Sequence, residues 1–277
     1  MKYIFLNLKR FDIPRSMGGV NDLAGVYDWG AHITLAIDKG LPEYIDAKFV
    51  VFFPEAHILG AKQARQSKHI PALGCQGIHF DNVAPGHNFG ALTSSLPATA
   101  AVALGCEWAM IGHCEERNKL KAILQLGGGN LSAVNMVLGK AVNCAVQSNL
   151  KVLYCVGETE DEKPIKEQIL ARQLESIIEL RSSNKTTEIV IGYEPIWAIG
   201  PGKIPPDAAY IKETADYIKS ITNCPVVYGG GLKTENVEML AEINSIDGGL
   251  IALTRFQGNI GFYPEDYFEI VSKYIEA

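Results

Sequence analysis

At Glu188-Ile-Val-Ile-Gly-Tyr193 a short apolar run rich in β-branched residues predicts a buried strand, which leads directly into Glu194-Pro-Ile-Trp-Ala-Ile-Gly-Pro-Gly-Lys203. Glu194 therefore falls at the carboxyl end of the strand, where its carboxylate can face a cavity mouth. Pro195 stiffens one end of the segment that follows, and two glycines loosen the other. The apolar residues between them can close over a site and exclude water. One interpretation is a general base beside a mobile lid; the other is a surface glutamate before a loop that covers the core.

The same alternation of a short apolar run with a segment of helical period continues along the chain. Strands are predicted at Tyr3–Leu8, Phe49–Phe53, Ala72–Gln76, Trp108–Ile111, Val152–Val156, Ile189–Tyr193, Val226–Gly229 and Gly249–Leu253, and helices at Leu131–Ser148, Ile165–Arg181, Ala208–Ile221, Val237–Ile243 and Asp266–Ile275. The turn-forming residues of Phe11–Gly40 predict a long first loop. With no linker or change of composition, this pattern predicts an α/β protein, a closed (β/α)8 barrel forming a single domain over residues 1–277. An open doubly wound sheet would alternate too, but no G-x-G-x-x-G follows the first strand.

The composition bounds the class of protein. The chain has 277 residues, 47% of them hydrophobic, and a net charge of −6. These values support a full core and argue against nucleic acid or an anionic membrane as a partner. The six cysteines form neither a C-x-x-C pair nor a zinc spacing with histidine. We therefore expect reduced thiols, a cytoplasmic location, no metal site, no membrane span and, since the first apolar run is short, no signal peptide.

In such a barrel the residues at the carboxyl ends of the strands form the active site. Asn7 and Lys9 alternate at the end of the first strand, so both are expected on the same side. A lysine facing the barrel mouth needs an anion, whereas one just past the strand would be solvated. His113 lies after the fourth strand, where a helix should begin. The positive end of that helix would keep the imidazole neutral and able to donate a hydrogen bond to a carbonyl, although a histidine here can also be structural.

These strings resemble signature segments of the triosephosphate isomerase family. The lid segment is similar to the family's Glu-Pro-(Val/Ile)-Trp-Ala-Ile-Gly-Thr-Gly-Lys, with Pro201 in place of Thr, and Asn7–Lys9 is similar to Asn-Trp-Lys. Gly112–Arg117 resembles Gly-His-Ser-Glu-Arg-Arg, and Tyr228–Lys233 resembles Tyr-Gly-Gly-Ser-Val-Lys. The resemblance implies a TIM barrel and an aldose–ketose isomerase of glycolysis and gluconeogenesis. Its substrate would be a small phosphorylated sugar, converted through an enediolate without metal or organic cofactor.

By this resemblance Glu194 is the catalytic base, His113 the electrophile and proton relay, and Lys9 the cation that stabilises the developing oxyanion. The other predicted site residues bind the substrate or support the site: Asn7, Glu115, Ile199, Gly200, Gly230, Gly231 and Arg255. The resemblance also implies a homodimer in which the loop after the third strand crosses to the partner. Phe89 and Ala91 depart from the family's residues in that loop, so we expect a dimer with a rebuilt contact.

The eighth strand departs most from the family. Ala252 and Leu253 stand where the family has two glycines whose N–H groups bind phosphate, and Gly231 lacks the hydroxyl of the usual serine. Arg255 is expected to compensate with a bidentate contact to phosphate. These changes leave two alternatives open. One is an isomerase of a four-carbon substrate such as an erythrulose phosphate, and the other is a barrel that binds a sugar phosphate without converting it.

Overall fold

Short runs of β-branched and aromatic residues form the parallel strands of a closed barrel. The computed structural model describes residues 1–41, 46–66, 71–182, 187–200 and 202–277, and within them eight strands pair in chain order, with the last closing on the first. They are β1 Lys2–Asn7, β2 Ala47–Phe53, β3 Ala72–Cys75, β4 Trp108–Ile111, β5 Lys151–Val156, β6 Ile189–Tyr193, β7 Val226–Tyr228 and β8 Gly248–Ile251. At the closure Tyr3 pairs with Gly248, and the Tyr3 N–H donates to the carbonyl of Asp247 at 2.7 Å. The predicted (β/α)8 barrel is confirmed.

Helices follow the strands around the outside of the barrel. The described residues form α1 Trp29–Gly40, α2 Glu55–Ala64, α3 Ala98–Leu104, α4 Cys114–Leu126, α5 Ala133–Gln147, α6 Lys166–Ser182, α7 Ala208–Thr222, α8 Val237–Ala241 and α9 Pro264–Glu276. The long first loop predicted for Phe11–Gly40 is wrong in its second half, because α1 buries Trp29, Ile33 and Ile37 at helical spacing. None of the described helices has the length and apolar character needed to span a membrane.

Two apolar layers hold the fold together. The inner layer contains strand residues only and fills the barrel: Tyr3, Phe5, Val50, Phe52, Trp108, Met110, Leu153, Cys155, Val190, Val227 and Leu250. The outer layer joins the alternate strand positions, such as Ile4 and Leu6, to the buried faces of the helices. The six cysteines are free thiols; Cys144 is half-buried and the others are buried.

The loops after β1 and β8 meet beside the mouth of the barrel. The guanidinium of Arg15 donates to Asp22 at 2.9 Å and to the carbonyl of Ile260 at 2.9 Å, so it ties the first loop to the last. The eighth loop folds back on itself through a bridge between Arg255 and Gly261. These contacts build a wall on the side of the mouth where β1 and β8 end.

Candidate active site

A cavity of about 480 Å³ opens at the carboxyl ends of the strands. Of the ten site residues predicted from the sequence, eight line it: Asn7, Lys9, His113, Glu194, Ile199, Gly200, Gly230 and Gly231. The two that do not line it are Glu115, which contacts lining residues, and Arg255, which is engaged elsewhere. The cavity is also lined by Lys203, Lys233, Ala252, Leu253 and Phe256.

Glu194 is held at the end of β6 by unusually close backbone neighbours. A Cβ on Gly157 would lie 1.7 Å from the Glu194 carbonyl oxygen, and one on Gly229 would lie 2.7 Å from its Cγ, so both positions require glycine. The Glu194 side chain is buried; its Oε2 accepts the Cys114 N–H at 2.9 Å, and its Oε1 lies 3.0 Å from His113 Nε2. A buried carboxylate with these contacts can take up or release a proton without competing water.

His113 is the N-cap residue of α4, and its ring lies between two carboxylates. Nε2 faces Glu194, and Nδ1 contacts Glu115 Oε2. Burial by itself lowers the pKa of His113, but the charge of Glu194 and the contacts with Cys114, Glu115 and Glu194 outweigh it and raise the pKa well above its ordinary value. The contacts in the free protein therefore favour a protonated ring, whereas the sequence predicted a neutral imidazole. The helix end contributes only partial charge, whereas the carboxylates contribute two full charges in contact.

Lys9 reaches the cavity through a turn and not through strand alternation. β1 ends at Asn7, and Lys9 adopts a φ of 40°, which is uncommon for a residue with a side chain. Asn7 Oδ1 stabilises the turn by accepting the Lys9 N–H at 3.0 Å and the Gln76 Nε2 at 3.3 Å. The Lys9 ammonium lies 2.5 Å from Glu115 Oε1. Although burial opposes it, contact with His113, Cys114 and Lys9 holds the pKa of the Glu115 carboxyl well below its usual range.

Arg117 braces the ends of β4 and β5 and was not among the predicted site residues. Its buried guanidinium donates to the carbonyl of Gly112 at 2.8 Å, to that of Cys155 at 2.8 Å and to Asn135 Oδ1 at 3.0 Å. These bonds hold the backbone that precedes His113. The signal in the sequence is position, because Arg117 lies one helical turn after His113 and so faces the same way.

Glu158 anchors the lid, and the sequence also gave it no part in the site. Its fully buried Oε1 accepts hydrogen bonds from Trp197 Nε1 at 2.8 Å, Tyr193 Oη at 2.9 Å and Tyr210 Oη at 3.0 Å. Trp197 belongs to a 3-10 helix, Ile196–Ala198, that begins the predicted lid. Ile199, Gly200, Gly202 and Lys203 of the lid line the cavity. Pro201, the departure from the family's threonine, lies outside the described residues.

The far end of the cavity carries free backbone donors. Within the described ranges, the N–H groups of Gly230, Gly231, Ala252 and Leu253 have no hydrogen-bond partner. Ala252 and Leu253 also line the cavity, so their side chains narrow the space in front of these donors. Backbone N–H groups presented in this way suit an oxyanion.

Arg255 does not point into this end of the cavity, which corrects the sequence-based expectation. Its guanidinium makes a bidentate pair with Asp266, with distances of 2.7 and 3.0 Å, and lies 3.0 Å from Glu265 Oε1. It also lies 3.9 Å from the centroid of the Tyr263 ring. The two carboxylates belong to the first turn of α9, and their combined charge draws the arginine away from the mouth.

The chain is similar to triosephosphate isomerases in sequence and in fold. A family model for triosephosphate isomerase matches residues 31–259. The triosephosphate isomerase of Nitrosomonas eutropha is 31% identical over 226 residues, which are 78% of this chain and 82% of the relative. That of Nitrosomonas europaea is 29% identical over 255 residues, or 85% and 92% of the two chains. The crystal structure of triosephosphate isomerase from Bartonella henselae aligns with 99% of both chains, with a TM-score of 0.69 and 22% identity, and shows the fold.

Proposed function

The chain belongs to the triosephosphate isomerase family, and from this premise we propose that its cavity interconverts a three-carbon aldose phosphate and the corresponding ketose phosphate. One observation carries the proposal: Lys9, His113 and Glu194, from the ends of three strands, line a single cavity. A carboxylate, an imidazole and an ammonium are the groups needed to move a proton next to a carbonyl and to stabilise the charge that develops.

The first half of the reaction forms the enediol. Glu194 takes a proton from the carbon next to the carbonyl, and the electrons of that C–H bond form a carbon–carbon double bond. The carbonyl oxygen gains negative charge and takes a proton from His113, while the Lys9 ammonium stabilises the charge. Since Glu194 Oε1 lies 3.0 Å from His113 Nε2 in the free protein, the substrate must separate the two side chains.

The second half reverses these transfers on the neighbouring atoms. His113 takes the proton of the other enediol hydroxyl, the double bond between the two carbons opens, and Glu194 returns its proton to the former carbonyl carbon. The proton transfers alone balance the reaction, so the proposal includes no metal or organic cofactor. The lid and the buried position of Glu194 exclude water from the enediolate.

The alternatives from the sequence gain little support. The relatives described above are named for a three-carbon substrate, and no feature of the cavity favours a four-carbon one. A barrel that only binds sugar phosphate would not need the three reactive side chains to meet. The altered eighth loop, which suggested a binder, leaves its backbone donors free for a phosphate.

A homodimer and a cytoplasmic location complete the proposal. Phe89 and Phe80 on the loop after β3 are 88% and 47% exposed. Apolar side chains on a projecting loop suit burial against a second copy of the chain. Sedimentation of the purified protein tests this, since Phe89→Asp should weaken the dimer, whereas a monomeric wild type would contradict it.

The test of the activity uses Glu194→Gln, which keeps the shape of the side chain and removes the base. Wild type should convert glyceraldehyde 3-phosphate, and the variant should lose about 10²- to 10⁴-fold in kcat while it still binds glycerol 3-phosphate. Glu175→Gln, on the exposed face of α6, is the matched control. A wild-type protein that binds the phosphate ester but converts nothing would establish the binding-only alternative.

A further inference from the structure

Lys233 is a cation at the free-donor end of the cavity that the reaction described above does not use. It lines the cavity just beyond β7 and is half-buried. Its stem passes over the glycine turn, since a Cβ built on Gly231 would lie 3.3 Å from Lys233 Cε. The Lys233 ammonium therefore lies on the side of the cavity where the N–H groups of Gly230 and Gly231 are unpaired.

The partner of the ammonium is an aromatic ring and not an anion. Lys233 Nζ lies 4.0 Å from the centroid of Phe256, which also lines the cavity. Across the part of the chain that the structure describes, the Lys233 side chain makes no hydrogen bond or ion pair. A cation–π contact fixes the position of an ammonium without neutralising its charge.

The other cations of the cavity differ in this respect. Lys9 is already paired with Glu115, and Lys203 lies on the lid with its side chain exposed to solvent. Lys233 alone among these three is both partly withdrawn from water and uncompensated. A half-buried ammonium without a counter-charge is stabilised more by an anion that enters the cavity than a paired or solvated ammonium is.

We propose that Lys233, positioned by Phe256, is the residue that binds the phosphate of the substrate. It would supply the charge expected from Arg255, beside hydrogen bonds from the free N–H groups of Gly230 and Gly231. Because an ammonium reaches further than a backbone N–H, it can hold a phosphate that the Ala252 and Leu253 side chains keep away from β8. This inference rests on the proposed function only for the identity of the phosphate ester; the site itself is one for a phosphate monoester.

The experiment measures binding and selectivity separately. Calorimetry with glycerol 3-phosphate, a three-carbon phosphate ester without a carbonyl, should show about tenfold or more loss of affinity in Lys233→Met and near wild-type affinity in Lys233→Arg. Lys140→Met, an exposed lysine of α5, is the matched control. With substrate, Lys233→Met should raise KM for glyceraldehyde 3-phosphate and leave the slow conversion of unphosphorylated glyceraldehyde unchanged.

The assignment would be overturned by equal affinity for glycerol 3-phosphate in Lys233→Met and Lys140→Met, or by no binding of the ester to wild type. Equal loss of conversion of phosphorylated and unphosphorylated glyceraldehyde would also overturn it, because that loss would be structural. If wild type binds glycerol 3-phosphate with the predicted dependence on Lys233 but isomerises nothing, the proposed function fails and the phosphate site stands.

Discussion

Two carboxylates determine the charge on the His113 ring: Glu194, which is distant in sequence, and Glu115, which lies two residues after it. A helix terminus contributes about 0.3–1 kcal/mol to a nearby charge. Two unit charges about 4 Å apart near a protein surface interact by on the order of 4 kcal/mol. The buried Glu194 and the adjacent Glu115 therefore dominate, and we expect an imidazolium in the free protein. A substrate that displaces Glu194 removes the larger of these influences and prepares the ring to give up its proton.

The titration of His113 follows from this arrangement. In histidine NMR spectra of the free protein, His113 should stay protonated well above its ordinary pKa of 6.5, and Glu194→Gln should lower that pKa because the neighbouring charge is gone. A raised folded-state pKa contributes stability fully below the unfolded value and loses it as the pH rises toward the folded value. The stability difference between wild type and Glu194→Gln in urea should therefore shrink as the pH rises above about 6.5, toward the folded-state pKa of about 12. A pH-independent difference would contradict the ion pair.

Arg255 should matter to α9 and not to substrate affinity. Its guanidinium is engaged by Asp266 and Glu265, so Arg255→Ala should leave KM for glyceraldehyde 3-phosphate within about twofold of wild type. The midpoint temperature of thermal unfolding should be slightly lower in Arg255→Ala than in wild type, and Arg255→Lys should have an intermediate value. An increase in KM as large as that expected for Lys233→Met would show that Arg255 does bind the phosphate.

The placement of Glu194, His113 and Lys9 on one cavity could be predicted because each lies within two residues of the end of a strand, and parallel strands bring their carboxyl ends together. The direction of the Arg255 side chain could not be predicted. It depends on a bridge within the eighth loop and on carboxylates of α9, and neither is fixed by local sequence. The roles of Arg117 and Glu158 were missed for the same reason, since their partners lie on other elements.

The lid is an element held at one end by a hydrogen bond to a buried charge. Trp197 Nε1 donates to Glu158 Oε1, and Trp197→Phe removes that donor while keeping an apolar ring. We expect kcat/KM to fall by about tenfold, because a hydrogen bond to a charged group is lost and the lid closes less often. Limited proteolysis should also cut the lid faster than in wild type.

Tyr210→Phe serves as the comparison for the lid, since Tyr210 donates to the same oxygen from α7. It should lower stability without a similar kinetic loss. Equal losses of kcat/KM in Trp197→Phe and Tyr210→Phe would show that activity depends on the Glu158 carboxylate itself and not on the anchoring of the lid.

The eight strands and the five helices that were predicted from the sequence have ends within two residues of those observed. β4 and β6 have the predicted bounds, and α7 begins at Ala208 as expected. The ranges of α2, α3 and α4 were not predicted, and length is not the reason, since α4 has 13 residues like α9 whereas the five-residue α8 was predicted. The turn formers of the first loop concealed α1, whose stability comes from packing of its apolar face and not from local propensity.

At the scale of the whole molecule, the filled interior of the barrel supports the site from below. Phe5 is fully buried there, with its ring centroid 5.8 Å from that of Phe52 and 5.3 Å from that of Trp108. Phe5→Ala should cost about 3–5 kcal/mol of unfolding free energy, measured in urea, because the neighbours cannot fill the void. Phe5→Leu should cost less, and both should keep wild-type KM when folded. A changed KM would show that the interior packing also shapes the cavity.

The pairing of β1 with β8 has a consequence for biosynthesis. Tyr3 finds its partner Gly248 only after nearly the whole chain has left the ribosome, which at 5–20 residues per second takes roughly 10 to 50 s. Until then the nascent polypeptide carries an open sheet edge and an unfilled interior, the features on which chaperones act. A ribosome-stalled fragment ending before residue 248 should therefore be cleaved by a protease that spares the released protein.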